Sequence, residues 1–326
     1  MPLALLERYQ VIVYLLAIAV GLSLGAVFQV PDAFDALLWP LLAALLYITF
    51  SQIPLIRLAA AFRDRNFFAA ALVGNFVCLP FVVAALFWLV PDDPALRLGV
   101  GLVLLVPCTD WFITFSQLGG GDTRHAIAFA PLSLLLQLML LPFYLGWLVG
   151  SDIALDLALA DTFQAFALVI LVPLGLAFLT QCWAAAGRHP ERSAERAKWL
   201  TRLGWLPVPL LGTVVGIIAL TQVNTVLEAT TQLPRLALVF SLFLLGAGFL
   251  ARGLAWLFRL PVAQGRVLAF SLGTRNSFVV LPIALALPAG FEMTVIVVVF
   301  QSLVELLGMV GYLYWVPKKL FPKPCK

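Results

Sequence analysis

Along the chain, apolar residues run in blocks of roughly 20, separated by short stretches that hold most of the charge, proline and glycine. A block of that length is what an α-helix needs to cross a ~30 Å hydrocarbon core. A barrel strand would need only ~10 residues of alternating polarity, and the blocks do not alternate. The pattern predicts ten membrane-spanning helices, at about 11–30, 36–56, 67–90, 98–118, 126–150, 162–183, 203–221, 234–257, 267–287 and 293–316. The connections are short, so the chain reads as one integral membrane domain over residues 1–326 with no soluble part.

Composition agrees: 63% of the residues are hydrophobic and 11% charged, against about 25% charged in soluble domains. The net charge of +4 needs no nucleic-acid partner, because it is a matter of sidedness. With the N-terminus in the cytoplasm and ten crossings, seventeen of the 20 Lys and Arg fall on the cytoplasmic side. They include Arg57, Arg63 and Arg65, Arg188 to Arg202, and Lys318 to Lys326. Only Arg97 and Arg235 fall outside, and Arg275 lies within a span. That asymmetry fits the positive-inside rule and predicts both termini on the cytoplasmic face of the cell membrane. No cleavable leader is expected, since Glu7 and Arg8 precede a block as long as a span. Cys78, Cys108, Cys182 and Cys325 have no paired spacing, so neither a disulfide framework nor a zinc site is expected.

Ten spans divide into two sets of five, about 11–150 and 162–316, and an odd number per set makes the second inverted relative to the first. Such inverted repeats build many secondary transporters. The fourth span of each set is interrupted. One reads Leu104-Leu105-Val106-Pro107-Cys108-Thr109-Asp110-Trp111, the other Ser271-Leu272-Gly273-Thr274-Arg275-Asn276-Ser277 with Pro282 five residues on. Proline removes a backbone donor, and freed backbone groups must face protein or water rather than lipid. Two broken helices at matching places point to a binding site near the membrane midplane. Each fifth span carries a polar residue near its middle, Gln137 and Glu305.

Asp110, Arg275 and Glu305 stand inside spans, where a charge costs about 2.5–3.5 kcal/mol on insertion scales. Asp110 and Arg275 sit at corresponding depths and are expected to pair, either as part of the site or as a structural lock. Glu305 is expected to carry a coupled proton; the plainer alternative is a neutral acid hydrogen-bonded to backbone. Cys108 follows the helix-breaking Pro107 and is a candidate sulfur ligand for a soft ion, although most membrane cysteines are small packing residues. Cys78 reads as packing, with Asn75 near it as a weak sign of a cavity lining. Gly119-Gly120-Gly121 reads as a helix stop.

Pro107-Cys108-Thr109-Asp110-Trp111, continuing through Gln117-Leu118 to Gly121-Asp122, resembles the fourth-span signature of the arsenite efflux permeases of the bile acid/sodium symporter superfamily. Leu303-Val304-Glu305 is similar to their last-span Leu-Val-Glu, and Gly273 and Asn276 match a ninth-span Gly-x-x-Asn. The resemblance implies ten helices in two inverted repeats, with helices 4 and 9 crossing, and makes Cys108 and Glu305 the functional pair. Asp110, Trp111 and Arg275 depart from the permeases. The sodium-coupled relatives carry an acidic Glu-x-Gly-x-Gln-Asn where this chain has Ser271 to Asn276. A fixed cation at Arg275 would repel Na⁺ at short range.

The expected function is proton-coupled efflux of arsenite or antimonite. Cys108 would give the As(III) contact, Thr109, Asn276 and Ser277 hydrogen bonds, Asp110 and Arg275 the local field, and Glu305 the proton. The alternative is transport of a small organic or arsenic-containing anion held by Arg275. A sensor that binds without flux is a third possibility. An intramembrane enzyme is disfavoured: no His-Glu-x-x-His motif is present, and both histidines, His125 and His189, lie in loops. No cofactor is expected.

Overall fold

The computed structural model describes residues 3–28, 30–31, 33–53, 55, 64–109, 111–148, 160–186 and 190–322. Within these residues the chain is helical and has no β-strand. The helices are α1 (Leu3–Val27), α2 (Ala33–Gln52), α3 (Arg65–Leu89), α4 (Pro94–Leu105), α5 (Trp111–Leu118), α6 (Thr123–Leu148) and α7 (Ala160–Ala185). There follow α8 (Pro190–Leu203), α9 (Pro207–Thr221), α10 (Val223–Ala229), α11 (Leu233–Leu257), α12 (Val262–Gly273), α13 (Ser277–Leu285) and α14 (Glu292–Trp315). Among the described residues six helical stretches are long and apolar enough to cross a membrane, and three shorter apolar helices accompany them.

Polarity is arranged inside out. Trp88 is 88% exposed and Trp256 82%. Asn75, Thr109, Ser271, Thr274, Arg275, Asn276, Gln301 and Glu305 are all buried. Water would reverse that order; hydrocarbon enforces it, because buried polar groups must then find partners within the protein. The chain is a multi-pass membrane protein.

The helices fall into two packing groups. In one, α1 lies along α9, and α2 packs on both α7 and α9. Gly21 and Gly25, four residues apart on α1, let its backbone meet that of α9; a β-carbon at either would strike a carbonyl oxygen, of Gly216 or of Leu220. Small residues at that spacing are how membrane helices approach closely. The other group joins α3, α4, α5, α6, α11, α12 and α14. Helix α13 touches both, meeting α14 and α4 on one side and α2 and α7 on the other.

Several elements differ from the sequence expectation. The stretch 184–202, expected as a loop, contains the polar helix α8, whose Arg196 lies over the Trp183 ring at 4.3 Å. Helix α3 is not a regular α-helix but contains a π-turn at Gly74–Cys78. The glycine run does stop a helix: Gly120 takes a positive φ, and Gly121 N–H donates to Ser116 O at 2.7 Å. A left-handed residue after the last turn is the common way to satisfy orphan carbonyls.

Candidate functional site

The two interrupted spans cross where each is unwound. Val106, before Pro107, is extended at φ −104 and ψ 103, since proline disfavours helix in the residue before it. Thr274 is extended too, at φ −100 and ψ 142. The two short segments then pair antiparallel across Pro107 and Arg275. Cys108 N–H donates to Thr274 O at 3.2 Å, and Asn276 N–H donates to Val106 O at 2.8 Å. The backbone groups freed by each break are thus satisfied by the other break. Asn276 Nδ2 also donates to Thr109 Oγ1 at 3.1 Å, while its Oδ1 caps α13 by accepting from Val279 N.

Arg275 is 2% exposed. Its Nη1 donates to Leu104 O at 3.2 Å, and its Nη2 to Ser271 O at 3.0 Å, Leu272 O at 2.8 Å and Asn75 Oδ1 at 3.1 Å. The three carbonyls belong to the last turns of α4 and α12. Those are the acceptors that a helix end leaves without intrahelical partners, and a cation is favoured beside them. One guanidinium therefore caps both half-helices, and the Phe243 ring lies 5.2 Å from it. Asn75, at the π-turn of α3, is itself anchored by donating to Ala71 O and Ser271 Oγ. Asp110, the expected partner of Arg275, lies outside the described residues.

Glu305, 2% exposed on α14, reaches the same crossing. Its Oε2 accepts from Arg275 N–H at 2.8 Å and from Gln301 Nε2 at 2.8 Å. The amide of Gln301 in turn accepts at Oε1 from the Ser277 hydroxyl at 3.2 Å. Carboxylate, amide and hydroxyl form one chain.

That chain ends at a narrow pocket between the two helix groups. The crossing contributes Cys108, Trp111, Arg275, Ser277 and Phe278. Helix α9, of the other group, contributes Leu211 and Val215, and α14 contributes Val298, Val299 and Ser302. Trp111 and Phe278, at the start of the second half of each broken helix, meet edge to face with ring centroids 5.1 Å apart. Mostly apolar walls with a few convergent polar groups are what small-molecule sites present.

The structure thus brings Cys108, Arg275 and Ser277 to one pocket and places Glu305 one residue behind it. Thr109 and Asn276 do not line it; they bond to each other across the crossing. Sequence reasoning did not single out Gln301 or Ser302. The signal for Gln301 was its place four residues before Glu305, on the same helix face.

A family model, the Sodium Bile acid symporter family, matches residues 39–229. The arsenical-resistance protein Acr3 of Corynebacterium glutamicum is 22% identical over 342 aligned residues, covering 98% of this chain and 92% of that protein.

Proposed function

The chain belongs to the sodium bile acid symporter family, and from that premise we propose that this membrane transporter expels arsenite, or antimonite, in exchange for protons. We read its helices as ten crossings in two inverted sets, α1, α2, α3, α4–α5 and α6, then α7, α9, α11, α12–α13 and α14. The antiparallel pairing of the two breaks supports that reading, as does their place as the fourth crossing of each set. The similarity to a protein named for arsenical resistance supports the cargo.

The single observation that carries the cargo assignment is Cys108, buried at the unwound crossing and lining the pocket between the groups. Arsenite near neutral pH is mostly an uncharged trihydroxide. A thiol can displace one hydroxyl: the As–O bond breaks, an As–S bond forms, and the thiol proton leaves with the hydroxyl as water. Three thiols would hold the cargo too tightly for turnover; one thiol plus hydroxyl partners keeps binding reversible. Ser277 and Ser302 are placed to bind the two remaining hydroxyls. Thr109 and Asn276 hold the crossing in register, and Arg275 and Asp110 set the field. Glu305 takes up the exchanged proton, as intramembrane acids commonly do. Rocking of one helix group against the other opens the pocket to each side in turn.

A second reading, transport of a small oxyanion or carboxylate, draws on one observation: Arg275 borders the pocket, and its Nε makes no hydrogen bond. Its other donors are committed to protein oxygens, which favours the neutral cargo.

The test is arsenite accumulation in cells that lack their own efflux systems. Expression of the protein lowers accumulation, and Cys108→Ser abolishes the effect. Equal accumulation with and without well-expressed protein would exclude arsenite. Competition by small anions in the same assay would then favour the second reading.

A further inference from the structure

A second cavity lies away from the crossing, an open groove of about 440 Å³ between α2, α7 and α8. That volume is within the ~300–1,000 Å³ of small-molecule sites. Tyr47 of α2 lines one side and Trp199 of α8 another; Leu176, Leu179, Thr180 and Trp183 line it from one face of α7. Its two hydroxyls are already committed. Thr180 Oγ1 donates to Leu176 O at 2.7 Å, so the Tyr47 hydroxyl is the donor in its 3.0 Å bond to Thr180 Oγ1. Neither has a proton left for an occupant, and the rest of the lining is leucine and indole. A hydrocarbon chain fits such walls and a polar solute does not. The two indoles, each an apolar body with one polar N–H, are the side chains that membrane interfaces select.

Helix α8 brings cations to this apolar surface. Arg196 Nη1 donates to Trp183 O at 2.8 Å, and its guanidinium lies 4.3 Å over the Trp183 ring. Trp183 O belongs to the last turn of α7, where carbonyls lack intrahelical partners. One of the five donors of a guanidinium thus holds the group beside a groove-lining residue. Arg202, exposed, follows Trp199 by three residues as Arg196 precedes it by three, so both share its helix face. From Arg188 to Arg202 the sequence holds five Lys and Arg against two Glu, of which Glu195 is exposed on α8. The surplus is positive. Helix α8 is also tied to the end of α2, where Gln52 Nε2 donates to Leu200 O at 3.1 Å.

We propose that this groove binds one anionic phospholipid, with an acyl chain between α2 and α7 and the phosphate on Arg196. Charge complementarity selects the occupant. A guanidinium fork matches a phosphate with two parallel hydrogen bonds, and basic pockets between helices on the cytoplasmic side take anionic headgroups. The surplus of Lys and Arg marks the α8 side as that side. A second copy of the chain would set cations against cations. A zwitterionic lipid would bring its ammonium group beside Arg196 and Arg202. A bound anionic lipid holds α8 against the ends of α2 and α7. The groove shares no lining residue with the Cys108 pocket, so the assignment does not depend on the cargo.

Native mass spectrometry of the full chain tests it, with the protein released from non-ionic detergent that holds equal amounts of phosphatidylglycerol and phosphatidylcholine of identical acyl chains. One phosphatidylglycerol should be retained in preference to phosphatidylcholine. Arg196→Gln should weaken its retention about tenfold, the worth of a charge-assisted hydrogen bond. Thr180→Trp, which fills the groove and leaves Arg196 in place, should lower it as well. Arg259→Gln, at an exposed cation outside the groove, should leave it unchanged. Equal retention of the two lipids, or full retention in Arg196→Gln or Thr180→Trp, would overturn the site. So would an equal loss in Arg259→Gln, which would mean diffuse attraction to the basic face, or a lipid-free pair of chains, which would mean that a second copy covers the groove.

Discussion

A guanidinium at 2% exposure is tolerable only if most of its donors find partners. Arg275 spends them on the carbonyl ends of two half-helices and on Asn75. Hydrogen bonds to a charged group are worth about 1.5–3 kcal/mol each. Asn75→Leu therefore should lower the unfolding free energy of the detergent-solubilised protein by about that amount. Val77→Leu, two residues on but half-exposed to the membrane, should not change it. Denaturant titration of both variants checks this, and equal stability would mean that Asn75 is not a partner of the cation. Charges inside apolar blocks are conspicuous, so Arg275 and Glu305 could be picked out from sequence, and Cys108 by the proline that precedes it. Asn75 stood out only as a weak sign of a cavity lining, and Gln301 and Ser302 did not stand out, because an uncharged polar residue in a span does not name the partner it meets. Only the fold shows that Asn75 lies beneath Arg275 and that Ser302 reaches the pocket.

Helices α4 and α12 end where they do for different local reasons, and only one of these was plain in the sequence. Pro107 breaks the first span by its missing N–H and its effect on Val106. The second has no proline at the break; Asn276 starts α13 by capping Val279 N, and the opposing strand-like segment supplies the other partners. Helix α8 escaped the apolar-block reading because it is polar, and the π-turn of α3 leaves no signal in hydrophobic spacing. The start of α3 has its own cluster. Asp64 Oδ1 caps Phe67 N at 3.2 Å, while its Oδ2 meets His125 Nε2 at 3.1 Å and Gln264 Nε2 at 2.6 Å, tying α3 to α6 and α12. Burial pushes the Asp64 carboxyl up, but these hydrogen bonds and the charge of His125 outweigh it and hold it below the ordinary carboxylate range. Asp122, beside Arg124 and His125, is held low in the same way against its own burial. A depressed acid stabilises the fold above its unfolded value of about 3.9, and that contribution is lost as pH falls through the folded value. Asp64→Ala should thus cost about 1 kcal/mol, the worth of a cap, with the same deficit from about pH 8 to about pH 5 and a shrinking one only in stronger acid. Thermal unfolding across that range and below it checks it; a deficit that keeps its full size in stronger acid would contradict it.

At the scale of the molecule, the pocket lies where two helix groups meet, with Leu211 and Val215 on one side and the crossing on the other. That the chain is built of long apolar helices was legible, because hydrocarbon thickness leaves little choice. The grouping was not, since it depends on which face of each helix packs, and nearly every face here is apolar. Movement between the groups would change access to Cys108, and cargo bound there would shield it. The most direct measurement is alkylation of Cys108 by a small maleimide, in protein whose other three cysteines are serine, with and without arsenite. Arsenite should slow the labelling over the same concentration range that saturates flux. Labelling that proceeds at an unchanged rate while arsenite is being transported would show that cargo does not meet this thiol, and the site proposed here would be wrong.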